Sequence, residues 1–354
     1  GARWSFTISF IALVIPVLYI SAAKSFLDLV LGGFLLGISG ATFSIGVTSL
    51  PKYYPKEKHG AINGIYGMGN VGTALTSFLA PAIAASIGWQ STVRLYLVLL
   101  AAFALANLLL GDTQERKVKA SLKEQVLAVY KNDKLWLLNL FYFITFGSFV
   151  AFTVYLPNFL VTNFELTKVD AGLRTAGFIA LATVARPVGG WLADRWNAFY
   201  VLMATFFGLA LSGGLLSFSL NIELFTVGVL SVAICAGLGN GAVFKMVPLY
   251  FSKQAGVVNG IVSAMGGLGG FFPPIVLTLL FQINGHYAVG FMALSEFSLA
   301  SFVCVVWMFY QDKLRLSANI IESTVEAIMI TDTDGVIRSV NPAFTAVTGY
   351  SAEE

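Results

Sequence analysis

Residues Phe43 to Pro81 read FSIGVTSLPKYYPKEKHGAINGIYGMGNVGTALTSFLAP, and a second copy of their pattern, NGAVFKMVPLYFSKQAGVVNGIVSAMGGLGGFFPP, runs from Asn240 to Pro274. Pro51, Tyr53 and Lys56 fall on Pro248, Tyr250 and Lys253 at one offset. Asn63 and Gly64 fall on Asn259 and Gly260 at an offset one residue shorter. Each copy reads as an apolar helix, a short basic loop and a glycine-studded apolar helix. A repeat of this length means two homologous halves packed face to face.

Working outward, the chain is 57% apolar and 11% charged, with a mean hydropathy of +0.81. A soluble domain carries about a quarter of its residues as charges, so the composition predicts a polytopic membrane protein. Ten stretches are long and apolar enough to span a hydrocarbon core of about 30 Å: near 5–23, 27–50, 60–87, 91–110, 135–160, 170–192, 198–218, 222–250, 255–282 and 286–310. All are expected to be helices, because lipid offers no partner for backbone polar groups. When such halves repeat in a membrane, their interface is the natural seat for a ligand.

The cations alternate between loops. Arg3, Lys52, Lys56, Lys58, Arg116, Lys117, Lys119, Lys123, Lys131, Lys134, Arg195, Lys253, Lys313 and Arg315 fall on one side. The other side holds only Lys24 and Lys168, with Arg94 and Arg174 just inside the helices that follow. The positive-inside rule puts the first set, and everything after Tyr310, in the cytoplasm. Cys235 and Cys304 fall within apolar helices and read as small buried thiols. His59 and His286 fall in loops on opposite sides, and no nucleophile, base or metal cluster presents itself, so neither catalysis nor a cofactor is expected. The basic residues serve orientation, which removes any need for a nucleic-acid partner.

Taken in order, the chain opens at Gly1 with GARW, not at a Met, and the first apolar helix follows at once. The second half has four helices before its glycine-rich one and the first half only two, so two helices are expected upstream. Residues 111–134 form the longest charged interruption, in which Leu122, Val126 and Val129 share one face of a predicted surface helix.

Arg186 lies eight positions before Asp194, roughly 12 Å deep at about 1.5 Å per residue. A cation there costs on the order of 2.5 to 3.5 kcal/mol, and no acidic residue of its own helix neutralises it. A planar guanidinium with five donors suits a small oxyanion; backbone carbonyls between helices are the other way to hold it. Gly60, Gly64, Gly67, Gly69 and Gly72, and in the second copy Gly256, Gly260, Gly266, Gly267, Gly269 and Gly270, let helices approach closely and rock. Asn70 is a buried amide that can donate to an anion. Tyr142, Phe146 and Phe149 share a helical face. Lys245, about a turn and a half before Tyr250, is expected to snorkel to the interface.

At these residues the sequence resembles the major facilitator superfamily, and within it the nitrate/nitrite porter family. GGWLADRW (Gly189 to Trp196) resembles the superfamily's loop signature, GARW the tail of the matching first-half loop, and GAINGIYGMGNVG and AGVVNGIVSAMGGLGG the two nitrate signatures. LGNGAVFKMVP and FYFITFGSF are also similar to that family. The resemblance implies an all-α polytopic fold lacking its first two helices, with residues 1–110 holding helices 3–6 of the first half, 111–134 the inter-half linker, and 135–310 helices 7–12. It implies a nitrate or nitrite site in which Arg186 is the second-half arginine, Tyr142, Phe146 and Phe43 are aromatic walls and Asn70 is a polar contact; the matching first-half arginine belongs to a helix this chain does not contain. Gly64, Gly67, Gly69, Gly72, Gly260, Gly266, Gly267, Gly269 and Gly270, with Asp194 and Arg195, are the expected packing and conformational positions.

Residues 311–327 read as a connecting helix, and 328–354 as a strand, a turn at Asp334 and Gly335, a second strand and an Asn-Pro helix start. IMITD, DGVI, VNPAF and TGY resemble the opening of a PAS sensor domain. Two functions follow from these resemblances. One is alternating-access transport of nitrate or nitrite with a cytoplasmic sensory appendage. The other is a receptor that signals through the PAS region to a histidine kinase or diguanylate cyclase output module, with a different oxyanion or an organic anion as a further possibility.

Overall fold

Membrane-length apolar runs become helices here because each closes its own backbone hydrogen bonds and leaves its side chains for lipid or for a neighbour. The computed structural model describes residues 1–113, 121–218, 221–285 and 287–351. Arg116, Lys117, Lys119 and His286, with part of the 111–134 linker, lie outside the described residues.

The helices in chain order are α1 Ala2–Ser21, α2 Phe26–Leu36, α3 Ser39–Ser49, α4 His59–Gly67, α5 Val71–Ile87, α6 Trp89–Leu110, α7 Leu122–Val129, α8 Asp133–Phe164, α9 Lys168–Leu192, α10 Ala198–Leu216, α11 Ile222–Tyr250, α12 Ala255–Asn284, α13 Ala288–Ser323 and α14 Pro342–Thr348. Short polar side chains start several of them. Ser25, Asn132, Thr167 and Asn221 each accept a hydrogen bond from a first-turn N–H of α2, α8, α9 and α11, which satisfies donors that the helix itself cannot. Gly88, at φ +83°, makes the turn between α5 and α6, a conformation that suits glycine.

Among the described residues nine continuous helical runs are long and apolar enough to cross a membrane. One of them, Lys168–Leu216, has 49 residues, about 74 Å of helix, more than twice the thickness of a hydrocarbon core. It is divided by a π-helical turn, Ala193–Asn197, that ends on an extended Asn197 at φ 175°. The two pieces are α9 and α10, so the expected ten crossings correspond to these nine runs.

The first unit of the structure, Gly1–Phe302, contains both copies of the repeat. Within it α9 packs on α4 and α11, α12 on α3 and α8, α10 on α11, and α1 on α6. The two copies are not alike in their glycine-rich helix. In the second, α12 is continuous, whereas the first breaks at a 3-10 turn, Met68–Asn70, between α4 and α5. Large apolar side chains on the outside are plentiful: Ile8, Ile11, Ile15 and Leu18 form a stripe along α1 with exposures of 47% to 68%. Such stripes are lipid-facing surface, since in water they would exceed the patches a monomer tolerates.

Several sequence expectations change. His59 is the first residue of α4, not a loop residue, and its ring nitrogen Nε2 lies 3.1 Å from the Tyr54 carbonyl. Cys235 and Cys304 are free thiols but only half-buried. The surface helix α7 forms behind a capping box of Ser121 and Glu124, with Val129 fully buried and Leu122 69% exposed.

The second unit, Val303–Glu354, holds the end of α13, the strands β1 (Met329–Thr331) and β2 (Ile337–Val340), and α14. The strands pair antiparallel, Met329 opposite Val340 and Ile330 opposite Ser339. The turn lies where expected: Asp332 accepts from the N–H groups of Asp334 and Val336, and Gly335 has φ +81°. Asn341, 2% exposed, caps α14 and donates to the carbonyls of Ile321, Thr324 and Glu326. Among the described residues this unit holds the end of α13, a two-stranded sheet and one short helix, and no PAS domain is evident in it.

Candidate functional site

Arg186 sits on α9 between Ala185 and Pro187 and is 2% exposed. Glycines admit its helix so closely to its neighbours that side chains fit only at chosen points. A Cβ on Gly64 of α4 would lie 2.6 Å from the Pro187 Cα, and one on Gly241 of α11 would strike the Arg186 carbonyl. With backbone against backbone, the guanidinium is directed into the space that remains.

That space is lined by rings. Arg186 Nη2 donates to the Tyr142 hydroxyl of α8 at 3.2 Å. The guanidinium carbon lies 5.4 Å from the ring centre of Phe43 and 5.6 Å from that of Phe146, within cation–π range. Tyr142 and Phe146 stack at 5.0 Å with planes 5° apart. Phe244 meets Tyr142 edge-on at 4.7 Å and Phe43 at 5.3 Å, and Tyr66 stacks on Phe43 at 5.7 Å. Gly67 of α4 closes the remaining side: a Cβ there would lie 2.6 Å from Arg186 Nε.

Arg186 Nε and Nη1 are both buried with no hydrogen-bond partner, and no carboxylate pairs with this arginine among the described residues. Asp170, the acidic residue of its own helix, is bonded instead to Arg174 near the opposite end of α9. Ring faces supply attraction but no acceptor, so the guanidinium presents the unused N–H groups of two nitrogens, Nε and Nη1, where a bare cation is costly.

Of the sequence-predicted residues, Arg186, Tyr142, Phe146 and Phe43 come together. Phe149 continues the face, 5.9 Å from Phe146. Asn70 ends the 3-10 turn one turn beyond Gly67; it makes no hydrogen bond to Arg186, and its Nδ2 is buried and unpartnered. The glycines divide. Gly60, Gly64 and Gly67 meet α9, while Gly266, Gly269 and Gly270 meet Tyr142, Phe143 and Val150 of α8. Gly69, Gly72, Gly260 and Gly267 have nothing within 4 Å of a built Cβ, so they are not close-packing positions. Phe244 and Tyr66 were missed as walls. Both stand inside the glycine-rich repeat segments, where an aromatic ring was the available signal.

Lys245 does not end in water at the interface. Its Nζ lies 2.6 Å from Asp194 Oδ1 and donates to the Lys56 carbonyl at 2.6 Å. Asp194 also accepts from the N–H groups of Gly60 and Ala61, at 2.9 and 2.7 Å, at the start of α4. The carboxylate thus serves both a cation and the positive end of a helix, and ties α9 and α11 to the first copy of the repeat. Arg195, beside it, is exposed and lies over the Trp191 ring at 5.4 Å. A second tie joins Asn259 Nδ2 of α12 to Thr48 Oγ1 of α3 at 2.9 Å.

Among the described residues, cavities also lie elsewhere in the unit. One of about 840 Å³ opens between α1, α3 and α12 and is fronted by Gly40, Gly256, Gly260, Gly267, Ser44 and Lys52. Another, about 250 Å³, is almost wholly apolar and lies among Phe152, Tyr155, Phe159, Phe272 and Phe291.

The chain matches the Major Facilitator Superfamily profile over residues 1–243 and again over 138–348. It is 64% identical over 315 residues to a Bacillus subtilis protein named nitrite extrusion protein, covering 89% of this chain and 80% of that one. It is 52% identical over 313 residues to a Staphylococcus epidermidis protein named probable nitrate transporter NarT, covering 88% and 81%. Among solved structures its fold is similar to the human organic anion transporter MFSD10, at TM-score 0.67 and 15% identity over 86% of this chain and 77% of that one. It is also similar to the E. coli fucose:proton symporter FucP, at TM-score 0.66 and 13% identity over 86% and 83%. These last two likenesses bear on the fold alone. The protein is a multi-pass membrane protein and not an enzyme. On the profile match across its length and these relatives, the chain belongs to the Major Facilitator Superfamily.

Proposed function

We propose that the protein moves nitrate or nitrite across the cell membrane by alternating access, with the anion held at Arg186. One observation carries this reading: a permanent cation buried to 2% exposure, ringed by aromatics and left with two nitrogens, Nε and Nη1, unpartnered. A flat oxyanion accepts two parallel hydrogen bonds from a guanidinium fork. The names of the relatives at 64% and 52% identity favour nitrate and nitrite over other oxyanions. In this reading Tyr142, Phe146 and Phe43 wall the site, Asn70 adds a donor, and residues 1–110 and 135–310 are the two halves that rock. Asp194 and Lys245 hold the halves together on the cytoplasmic side, where the loop cations lie.

The ββα unit after α13 is read as the opening of a PAS domain on the cytoplasmic side. The continuity of α13 from the membrane stretch to Ser323 favours a second reading, in which anion binding signals through this unit to an output module. A ligand biases such an equilibrium only by its differential affinity for the two states.

The test is nitrate uptake, and nitrate/nitrite exchange, by the protein in its full natural length in sealed proteoliposomes. Flux marks a porter. Binding without flux marks a receptor.

A further inference from the structure

Asn240 lies on α11, one helical turn before Phe244, and is 2% exposed. Its Oδ1 and Nδ2 are both buried without a hydrogen-bond partner. Leaving an amide unmet costs its full desolvation, whereas an apolar residue of the same size costs nothing of the kind. Filling the volume therefore does not account for it.

The direction of the side chain follows from its neighbours, because successive residues turn by about 100° around a helix. Gly237 and Gly241 lie on the side of α11 that abuts α9: their built Cβ atoms strike the carbonyls of Ala182 and Arg186. Gly239 lies on the side facing α8 and α10, with its built Cβ 2.5 Å from the Thr145 methyl and 2.7 Å from the Thr205 methyl. Asn240 falls between these two sides, on the stripe it shares with Phe244. Between α8 and α9 is where Arg186 donates to Tyr142, and Phe244 packs on that same tyrosine.

We propose that Asn240 is a further anion-contacting residue, whose Nδ2–H donates to an oxygen of the anion held by Arg186. This rests on the reading of Arg186 as the anion's ligand. The amide adds donors on the α11 side without adding charge, so it raises selectivity for a hydrogen-bond acceptor while leaving the anion free to depart. A ligand that must be released has to be bound weakly enough to leave.

The experiment compares wild type with Asn240→Leu and Asn240→Ser, each in its full natural length. Sodium nitrate is titrated calorimetrically into detergent-solubilised protein, with sodium chloride as the ionic control, and each variant's melting temperature is recorded. Asn240→Leu should weaken nitrate binding at least tenfold while melting at or above the wild-type temperature. Asn240→Ser, smaller and still a donor, should fold in any case and lose affinity by less. Wild-type affinity in either folded variant overturns the proposal and leaves Asn240 as the holder of a structural water. A wild-type protein that binds no nitrate defeats the reading of Arg186, and this inference with it.

Discussion

Arg186 on α9 and Tyr142 on α8, 44 positions apart, are joined by a 3.2 Å hydrogen bond that uses one of the guanidinium's five donors and leaves Nε and Nη1 unspent. The tyrosine orients the fork without neutralising it. A carboxylate in its place would hold the arginine better and leave it nothing to offer an anion.

Tyr142→Phe keeps the stack on Phe146 and removes only the acceptor. A hydrogen bond to a charged group contributes about 1.5 to 3 kcal/mol, so nitrate affinity should fall roughly tenfold as the fork loses its orientation. Uptake kinetics check this: KM should rise with protein abundance in the membrane unchanged.

Gly67 and Gly72 are close in sequence and opposite in surroundings. Gly67→Ala places a methyl 2.6 Å from Arg186 Nε, while Gly72→Ala enters open space. The first should abolish transport. The second should leave it intact and favour the helix by up to about 1 kcal/mol. Uptake by the two variants, normalised to membrane content, decides.

Asp194 and Lys245 have side chains only 6% and 14% exposed. Removing one partner of such a buried pair costs on the order of 3 to 5 kcal/mol, because the other charge is stranded. Asp194→Asn and Lys245→Met should each lower the melting temperature, and the double variant should recover part of the loss. Additive losses in this double-mutant cycle would show that the pair is not coupled.

Asn259 and Thr48 tie α12 to α3. If the halves separate during transport, Thr48→Cys with Asn259→Cys should stop uptake under mild oxidant and regain it with reductant. Uptake indifferent to oxidant, with the cross-link verified by mass spectrometry, would place the moving boundary elsewhere.

Much of this was legible in the sequence, because its signals are local. A repeat offset, runs of about 20 apolar residues and an arginine deep in one of them led to the ten crossings and to Arg186, whereas Tyr142, Phe146 and Phe43 as its walls followed from the family resemblance. What was not legible depends on which helices meet. Gly64 and Gly69 look alike in sequence, yet one touches the backbone beside Arg186 and the other touches nothing. The pairing of Lys245 with Asp194 spans 51 positions and two helices, so no local pattern announces it. The break at Met68–Asn70 has no counterpart in the second copy, although Gly60 and Gly64 fall on Gly256 and Gly260 at the repeat's offset.

The most direct test of the account is nitrate binding by Arg186→Lys against wild type, each in its full natural length, with melting temperature as the control for folding. Lysine keeps the charge and loses the planar fork. The account predicts a folded variant whose affinity for nitrate is at least tenfold weaker and whose uptake is lost. A folded Arg186→Lys that binds and transports nitrate as the wild type does would contradict it.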